Sequence, residues 1–413
     1  MTVAPTAPAL LTSAAALQPE LVTLRHSLHR EPEIGLDLPL TQAKVLAALE
    51  GLPLEVTLGE RLSSVTAVLR GGLPGPTVLL RGDMDALPVQ ETSGLPFASR
   101  TAGAMHACGH DLHVTALVGA ARLLCERQAT LAGDIVFMFQ PGEEGRGGAK
   151  VMIEEGLLEV TGSTPVAAYA LHVSSAMPQG QVLGRPGAIM AAADTLVATL
   201  RGRGGHGSAP QAALDPVPAA CEAVLALQTM VTRRFDVFDP VVVTTGLLRA
   251  GTINNVIPDD AYFEATVRSF SPEARERVRE ESVRVVRGIA AAHGLEADVE
   301  FVDVYPVTVN DATEAAFAAD TARGLLGRDR WTTLDKPLAG AEDFSYVAER
   351  VPAAFFFLGA CADGLDPATA PYNHSPEAAF ADAVLADGAA LLAALALGRL
   401  EREQAGEQGS EQD

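Results

Sequence analysis

The stretch Met105-His106-Ala107-Cys108-Gly109-His110-Asp111 crowds a thiol, imidazoles and a carboxylate together, and Gln140-Pro141-Gly142-Glu143-Glu144-Gly145 adds two adjacent carboxylates. Thiolate, imidazole and carboxylate are the ligand types that a borderline-soft divalent ion accepts. A carboxylate next to a ligating one can take a proton from water activated by that ion. The pattern predicts metal-dependent hydrolysis, with one glutamate of the pair as ligand and the other as base. Each piece alone is ambiguous. Cys108-x-His110 also describes a buried thiol beside a surface imidazole, and Glu143-Glu144 a solvated acidic loop. Context favours a site, because His106 and His113 join Cys108, His110 and Asp111, and Gly109 permits a tight bend between the two candidate ligands.

These residues need elements to position them. Val78-Leu79-Leu80 leads into Arg81-Gly82-Asp83-Met84-Asp85, residues 134–139 lead into Pro141-Gly142-Glu143-Glu144, and residues 166–173 carry His172 at their end. Three strand ends are therefore expected on one side of a sheet, where open α/β sheets place ligands. Leu112, Thr115, Ala116, Gly119, Ala120 and Leu123 predict a helix over residues 111–127, whose N-terminus lies against Cys108 and His110 and favours thiolate. Upstream, helices are expected over residues 19–29 and 41–49, with strands over 64–70 and 77–80. From Gly187 the character changes to an α+β insert, with strands over 195–200, 241–248 and 261–269 and helices over 216–233 and 272–292. After residue 302 the helix–strand alternation resumes, with a buried strand over 355–358 and a helix over 378–397. The expected organisation is a flexible N-terminus (1–18), a catalytic domain (19–187 and 303–399), an inserted domain (188–302) and a disordered tail (400–413).

Composition sets the outer limits. The chain has 413 residues, 48% of them hydrophobic, and a net charge of -22, which suits a globular α/β protein and argues against nucleic acid as partner. Cys108, Cys125, Cys221 and Cys361 have no paired spacing, so a reducing compartment is expected rather than a disulfide framework. No Lys or Arg precedes Arg25, so the basic start of a secretory signal is missing, and charged residues, Gly or Pro interrupt each apolar run. A cytoplasmic protein without a membrane partner is expected.

Leu28-His29-Arg30-Glu31-Pro32-Glu33, Arg81 to Pro88, His106 to Asp111, Pro141-Gly142-Glu143-Glu144, Gly204 to Pro210, Asn255-Val256-Ile257-Pro258 and Glu342-Asp343-Phe344 occur in that order. Together they resemble the M20 family of metallopeptidases and amidohydrolases, in its aminoacylase-like branch. The resemblance implies a zinc-exopeptidase-like α/β catalytic domain, a mixed central sheet flanked by helices, with an inserted α+β dimerisation domain. It implies that Cys108, His110, Glu144, His172 and His374 hold two divalent ions (Zn, Mn, Ni or Co), with Glu143 as general base. His206 of the insert is implied to reach a neighbouring subunit's active site in a homodimer or homotetramer, and Asn255 to lie near substrate, both as donors to an oxyanion. Without the resemblance, His172 reads as a core histidine and His374 as a loop residue. Asp85 and Asp111 are expected to orient ligands, and Asp83 to stand where other branches have a metal-binding histidine. Arg268 is a candidate for pairing with a substrate carboxylate. Gly207 stands where many relatives have Ala.

The expected substrate is an N-acyl amino acid. A dipeptidase or aminopeptidase uses the same chemistry but anchors a free amine. A thiol amidohydrolase with Cys108 as nucleophile would resist chelators. A purely structural metal site is disfavoured by the extra carboxylate.

Overall fold

The structure is a computed structural model and describes residues 7–410; the remaining parts of the N-terminal segment and tail named above lie outside the described residues. The helices are α1 (Ala7–Arg30), α2 (Pro39–Leu49), α3 (His110–Cys125), α4 (Gly148–Glu154), α5 (Pro216–Arg234), α6 (Pro272–Ala292), α7 (Ala312–Leu326), α8 (Ser345–Ala348) and α9 (Leu385–Ser410). The strands run β1 (Glu55–Leu58), β2 (Val65–Leu69), β3 (Leu73–Asp83), β4 (Ala132–Gln140), β5 (Ala167–Ser174), β6 (Val182–Gly184), β7 (Gly187–Met190) and β8 (Ala192–Arg201). They continue as β9 (Gly205–His206), β10 (Val241–Ala250), β11 (Val256–Ile257), β12 (Asp260–Ser269), β13 (Glu296–Tyr305), β14 (Thr308–Asn310), β15 (Trp331–Thr333) and β16 (Ala353–Gly359).

The chain forms two compact units. One comprises the described parts of Met1–Ile189, Val309–Lys336 and Tyr346–Asp413; the other comprises Met190–Thr308 and Pro337–Ser345. The first holds a mixed sheet in the order β1-β2-β4-β3-β5-β16-β6-β15. Its centre, β4-β3-β5-β16, is parallel throughout. β5 and β16 are buried along their whole length, as expected of parallel strands covered on both faces. Because the four central strands share a direction, the segments after β3, β4 and β16, and the end of β5 itself, emerge along one edge. The fourth of these, β16, was expected as a strand but not as a contributor to that edge.

Two expectations about the termini are corrected. Residues 7–18 are helical, and α1 runs through Pro19. Pro19 removes one backbone donor, a loss of about 3 kcal/mol in a helix interior. Leu10, Ala14, Leu21 and Leu28 nevertheless lie on one buried stripe, and each buried leucine contributes about 1.5–3 kcal/mol. Likewise α9 continues past residue 399 to Ser410, with Leu400 buried and Arg399 paired to Glu314 at 2.9 Å. By length and composition the segment Asp382–Gln404 would suit a bilayer, contrary to expectation. Ala389, Leu391, Leu392, Leu395 and Ala396 are buried in the core that also contains Leu117 and Ala120 of α3, which accounts for that apolarity.

The second unit is an antiparallel sheet, β10-β12-β8-β13, with α5 and α6 packed through Leu227, Val278 and Val286 onto Leu196, Phe263 and Val267. The expected boundary at residue 302 falls inside β13, which pairs with β8 as far as Tyr305. Ala297, Val299 and Phe301 pack on the core while acidic residues alternate with them, so the strand's apolar signal is thin.

A buried ionic knot locks α1 to α3. Asp111 accepts from Arg25 Nε at 2.8 Å and from His29 Nδ1 at 2.9 Å, while Arg25 also reaches Asp382 at 2.7 Å. His29 Nε2 faces Glu91 at 3.3 Å. Burial disfavours charge on His29, but Asp111 and Glu91 outweigh it and raise its pKa from 6.5 to about 9. A group whose pKa is raised in the folded state stabilises fully below its unfolded value and loses that contribution as pH rises through the folded value. Unfolding free energy should therefore fall by about 3 kcal/mol between pH 6.5 and 9 through this residue. Urea titrations of the wild type and His29→Asn across that range test it, and equal pH slopes for the two proteins would refute the assignment.

Candidate metal centre

The site grows from the shared edge of the parallel strands. After β3 comes Asp85, whose carboxylate accepts from the backbone N–H of Glu143 at 2.9 Å and of Glu144 at 3.1 Å. Asp85 thus holds the turn after β4 that carries both glutamates. Its carbonyl oxygen accepts from His110 Nδ1 at 2.8 Å, which turns His110 Nε2 toward the centre. At the end of β5, His172 donates Nδ1–H to the Val173 carbonyl at 2.7 Å, which frees its Nε2. That Nε2 lies 3.4 Å from Cys108 Sγ. From the loop after β16, His374 brings Nε2 to 3.3 Å from the same sulfur and 3.2 Å from Glu144 Oε1.

Cys108 is the common corner of two groupings. Cys108, His110 and His172 form one, Cys108, Glu144 and His374 the other, with the ligand atoms of each within 4.8 Å of one another. His110, Glu143 and Glu144 satisfy the same limit, so Glu143 adjoins both without belonging to either. Gly109, at φ 83°, makes the bend between Cys108 and His110; a Cβ there would come within 2.4 Å of Val173 Cγ2. A side chain at this position is thus excluded by both backbone and space.

The electrostatics suit a cation. His374 has its pKa raised to about 10, chiefly by its hydrogen bonds to Cys108 and Glu144. Burial alone would raise Glu144, yet His374 and His110 hold it below the ordinary carboxylate value. Burial likewise opposes charge on His110, but Asp83, Asp85 and Cys108 push it well above the usual imidazole range. His172 goes the other way, lowered by burial and by His113. His110 Nε2 is buried with no hydrogen-bond partner among the described residues. A sulfur, a carboxylate and three inward imidazole nitrogens, that of His172 free and those of His110 and His374 protonated only through their neighbours' charge, form a donor set a divalent ion would fit, displacing those protons.

The remaining candidates fall elsewhere. Asp111 was expected to orient a ligand, but its partners are Arg25 and His29, so it serves the α1–α3 knot. Asp83 is engaged by Arg81 at 2.6 Å and by His113 Nδ1 at 2.5 Å, which with His110 hold its carboxyl well below the usual range against its burial. His113 completes that arrangement by accepting the Val173 N–H at 2.8 Å. Sequence reasoning noticed His113 but gave it no role, although its spacing from His110 places both on one face of α3. In the second unit, His206 lies in β9 opposite Val256 and Asn255 in the turn before β11, both exposed, and Gly207 N–H donates to the Asn255 carbonyl at 2.8 Å. A Cβ at Gly207 would sit 3.1 Å from that oxygen, so glycine permits a close approach there. Arg268 lies on β12 opposite the face that carries Phe263 and Val267, and donates to Thr266 Oγ1 at 2.7 Å and the Val267 carbonyl at 2.9 Å. The motif residue Glu33 serves structure, accepting from Leu40 and Thr41 N–H at the start of α2.

Comparison with known proteins is consistent with this centre. Residues 79–398 match Peptidase family M20/M25/M40. A thermostable carboxypeptidase of Saccharolobus solfataricus is 38% identical over 343 residues, 82% of this chain and 85% of the relative. A hippurate hydrolase of Campylobacter jejuni is 37% identical over 381 residues, 92% of this chain and 97% of the relative. Among solved structures, the Bacillus subtilis YXEP protein, described as a dinuclear metal-binding peptidase from the M20 family, superposes with a TM-score of 0.80 at 33% identity, covering 94% of this chain and 99% of its own.

Asp85 supplies the test of this geometry. Asp85→Asn replaces one acceptor with a donor facing a backbone N–H, so the Glu143–Glu144 turn should lose its hold. Co2+ affinity, measured by competition with a chromophoric chelator, should fall roughly 10- to 100-fold. Unchanged affinity would show that the turn keeps its place without Asp85.

Proposed function

The chain belongs to Peptidase family M20/M25/M40, and on that premise we propose that it hydrolyses the amide bond of N-acyl amino acids to a carboxylic acid and a free amino acid. The observation that carries this reading is the position of Glu143, grouped with His110 and Glu144 yet outside both Cys108 groupings. In this reading Cys108, His110, Glu144, His172 and His374 hold two divalent ions, Zn, Mn, Co or Ni. When bound, such ions supply Lewis acidity that brings the pKa of water toward ~7. Glu143 takes the proton of the attacking water and delivers it to the departing amide nitrogen, which must be protonated to leave. Asp85 keeps Glu143 and Glu144 on adjacent but different tasks through their backbone N–H groups. His206 and Asn255 donate to the developing oxyanion, each contributing about 3 kcal/mol to transition-state binding. Both are exposed on one ribbon of the second unit, which supports their acting in a homodimer or homotetramer, His206 on a neighbouring subunit's site. Arg268 is the proposed partner of the substrate carboxylate. The four cysteines are all free, in keeping with a reducing, cytoplasmic setting for a ligating thiol.

A carboxypeptidase reading is favoured by the relative of that name. The two readings share a leaving group, since a C-terminal peptide bond and an N-acyl amino acid both release an amino acid through its nitrogen. They differ in the acyl side. Turnover of N-acetyl and N-benzoyl amino acids, an N-blocked dipeptide and free dipeptides, with protein reloaded with each ion, separates them. The proposal expects the simple acyl amino acids to be fastest; preference for the blocked dipeptide would make the chain a carboxypeptidase, and preference for free dipeptides would overturn both.

Glu143→Gln should keep its metal content and lose roughly 10³-fold in kcat, the range removed with a positioned base. Retained turnover at matched metal content would end the role assigned to Glu143. Co-expression of His206→Ala with Glu143→Gln should restore activity that neither homomer has, because a mixed dimer contains one complete site. If no activity returns, His206 acts within its own chain.

A further inference from the structure

Five side chains are assigned above to two cation positions, but they are not held in the same way. His110 opens α3 and His172 lies in β5, both buried in regular structure. His374 sits in the loop between β16 and α9, its side chain 53% exposed. Its backbone is at φ 73°, and it is the only non-glycine residue with positive φ among the described residues. A loop residue in a disfavoured conformation keeps its place only where its surroundings over-determine it.

The neighbouring side chain does this. Asn373 Nδ2 donates to the Cys108 carbonyl at 3.2 Å and the Val173 carbonyl at 3.0 Å, and lies 3.8 Å from Cys108 Sγ. Its Oδ1 accepts from the Ser175 N–H at 3.0 Å and faces the Ser175 hydroxyl at 3.1 Å. That hydroxyl is also 2.8 Å from the Pro371 carbonyl, so it shares its proton between the loop and the amide. The amide orientation follows from its partners, since the flipped form would set its oxygen against two carbonyls and its NH2 against an N–H. One side chain therefore ties together the Cys108 bend, the end of β5 and the His374 loop. Further tethers of the loop are His374 N–H to the Ala107 carbonyl and Thr92 N–H to the Pro376 carbonyl, both at 2.8 Å.

We propose that Asn373 is the positioning residue that builds the Cys108–Glu144–His374 corner and thereby sets the affinity of that cation position more strongly than that of the other, with which it shares Cys108. The inference rests on the two-ion reading above. Without the amide, the loop loses its hold on Cys108 and β5, and His374 leaves the ring arrangement that its backbone disfavours. His110 and His172 keep their places through α3, β5 and the Asp85 and Val173 carbonyls, while Cys108, which both groupings share, loses only the bond at its carbonyl. Asn373 touches none of the reacting atoms and acts through His374 and the Cys108 bend.

The test uses the full chain, stripped of metal and titrated with Co2+ in a buffered series. Bound Co2+ per chain and the thiolate-to-Co2+ absorption band are read together, with the melting temperature of the metal-free protein alongside. The wild type should take up two ions. Asn373→Ala should weaken one ion roughly 10- to 100-fold, the loss usual for a group that orients a ligand, and the other, which shares Cys108, by clearly less. Ser175→Ala, which removes only the hydroxyl from the same tether, should weaken the more affected ion in the same direction by less. That variant carries the test if Asn373→Ala does not fold. Two ions bound by either folded variant at wild-type affinity would overturn the role of Asn373 and leave the two-ion reading standing. Parallel weakening of both ions with a lowered melting temperature would reduce Asn373 to a general structural residue. A wild type that never takes a second ion would overturn the two-ion reading and this inference with it.

Discussion

An imidazole buried at a strand end or helix start can present one ring nitrogen to a centre only if the other has a partner that fixes its tautomer. His110 meets that condition through the Asp85 carbonyl and His172 through the carbonyl of Val173. His113 uses both nitrogens, one on Asp83 and one on the Val173 N–H, and so is committed to holding its neighbours. The arrangement depends on backbone groups that parallel strands leave unpaired where they end. The chemistry therefore concentrates at the edge where β3, β4, β5 and β16 stop.

Charge follows the same logic at a larger radius. Asp83 is surrounded by Arg81, His110 and His113, and Asp111 by Arg25 and His29. Buried carboxylates of this kind cost several kcal/mol unless they are paired. Each is paired, although Asp83 also stands 3.4 Å from His110 Nε2, and Glu144, with its imidazole neighbours, is the carboxylate grouped with the sulfur. His106, buried between these groups with neither ring nitrogen bonded among the described residues, is kept neutral by burial, its pKa lowered to about 3. It adds bulk to the motif without adding charge.

The second unit differs in construction. Its antiparallel sheet is covered by α5 and α6, and its candidate groups lie outside that core: His206 and Asn255 on an exposed ribbon, Arg268 on the other face of β12. Rigid strand ends suit ligands that need fixed distances, whereas His206 and Asn255 stand exposed on a small ribbon.

Much of this was legible in the chain. Cys108, His110 and the Glu143–Glu144 pair announce themselves because ligand types cluster at short spacing, and the apolar runs before them mark buried strands through composition alone. Other features were not legible. Asp111 looked like part of the site because it follows His110, yet one step along α3 turns its side chain toward α1. The α1 extension through Pro19 and the α9 extension past residue 399 rest on packing partners far away in sequence. Nothing local marks Asn373, because its bonds run to Cys108, Val173 and Ser175, which meet it only after the sheet has closed. The order of residues by itself determined which groups are able to bind a cation and which segments become strands, since both depend on residue type and short-range pattern. Only the tertiary structure decided which imidazole nitrogens point inward, which carboxylates are neutralised and what holds His374, because those depend on hydrogen bonds between segments that the fold alone brings together.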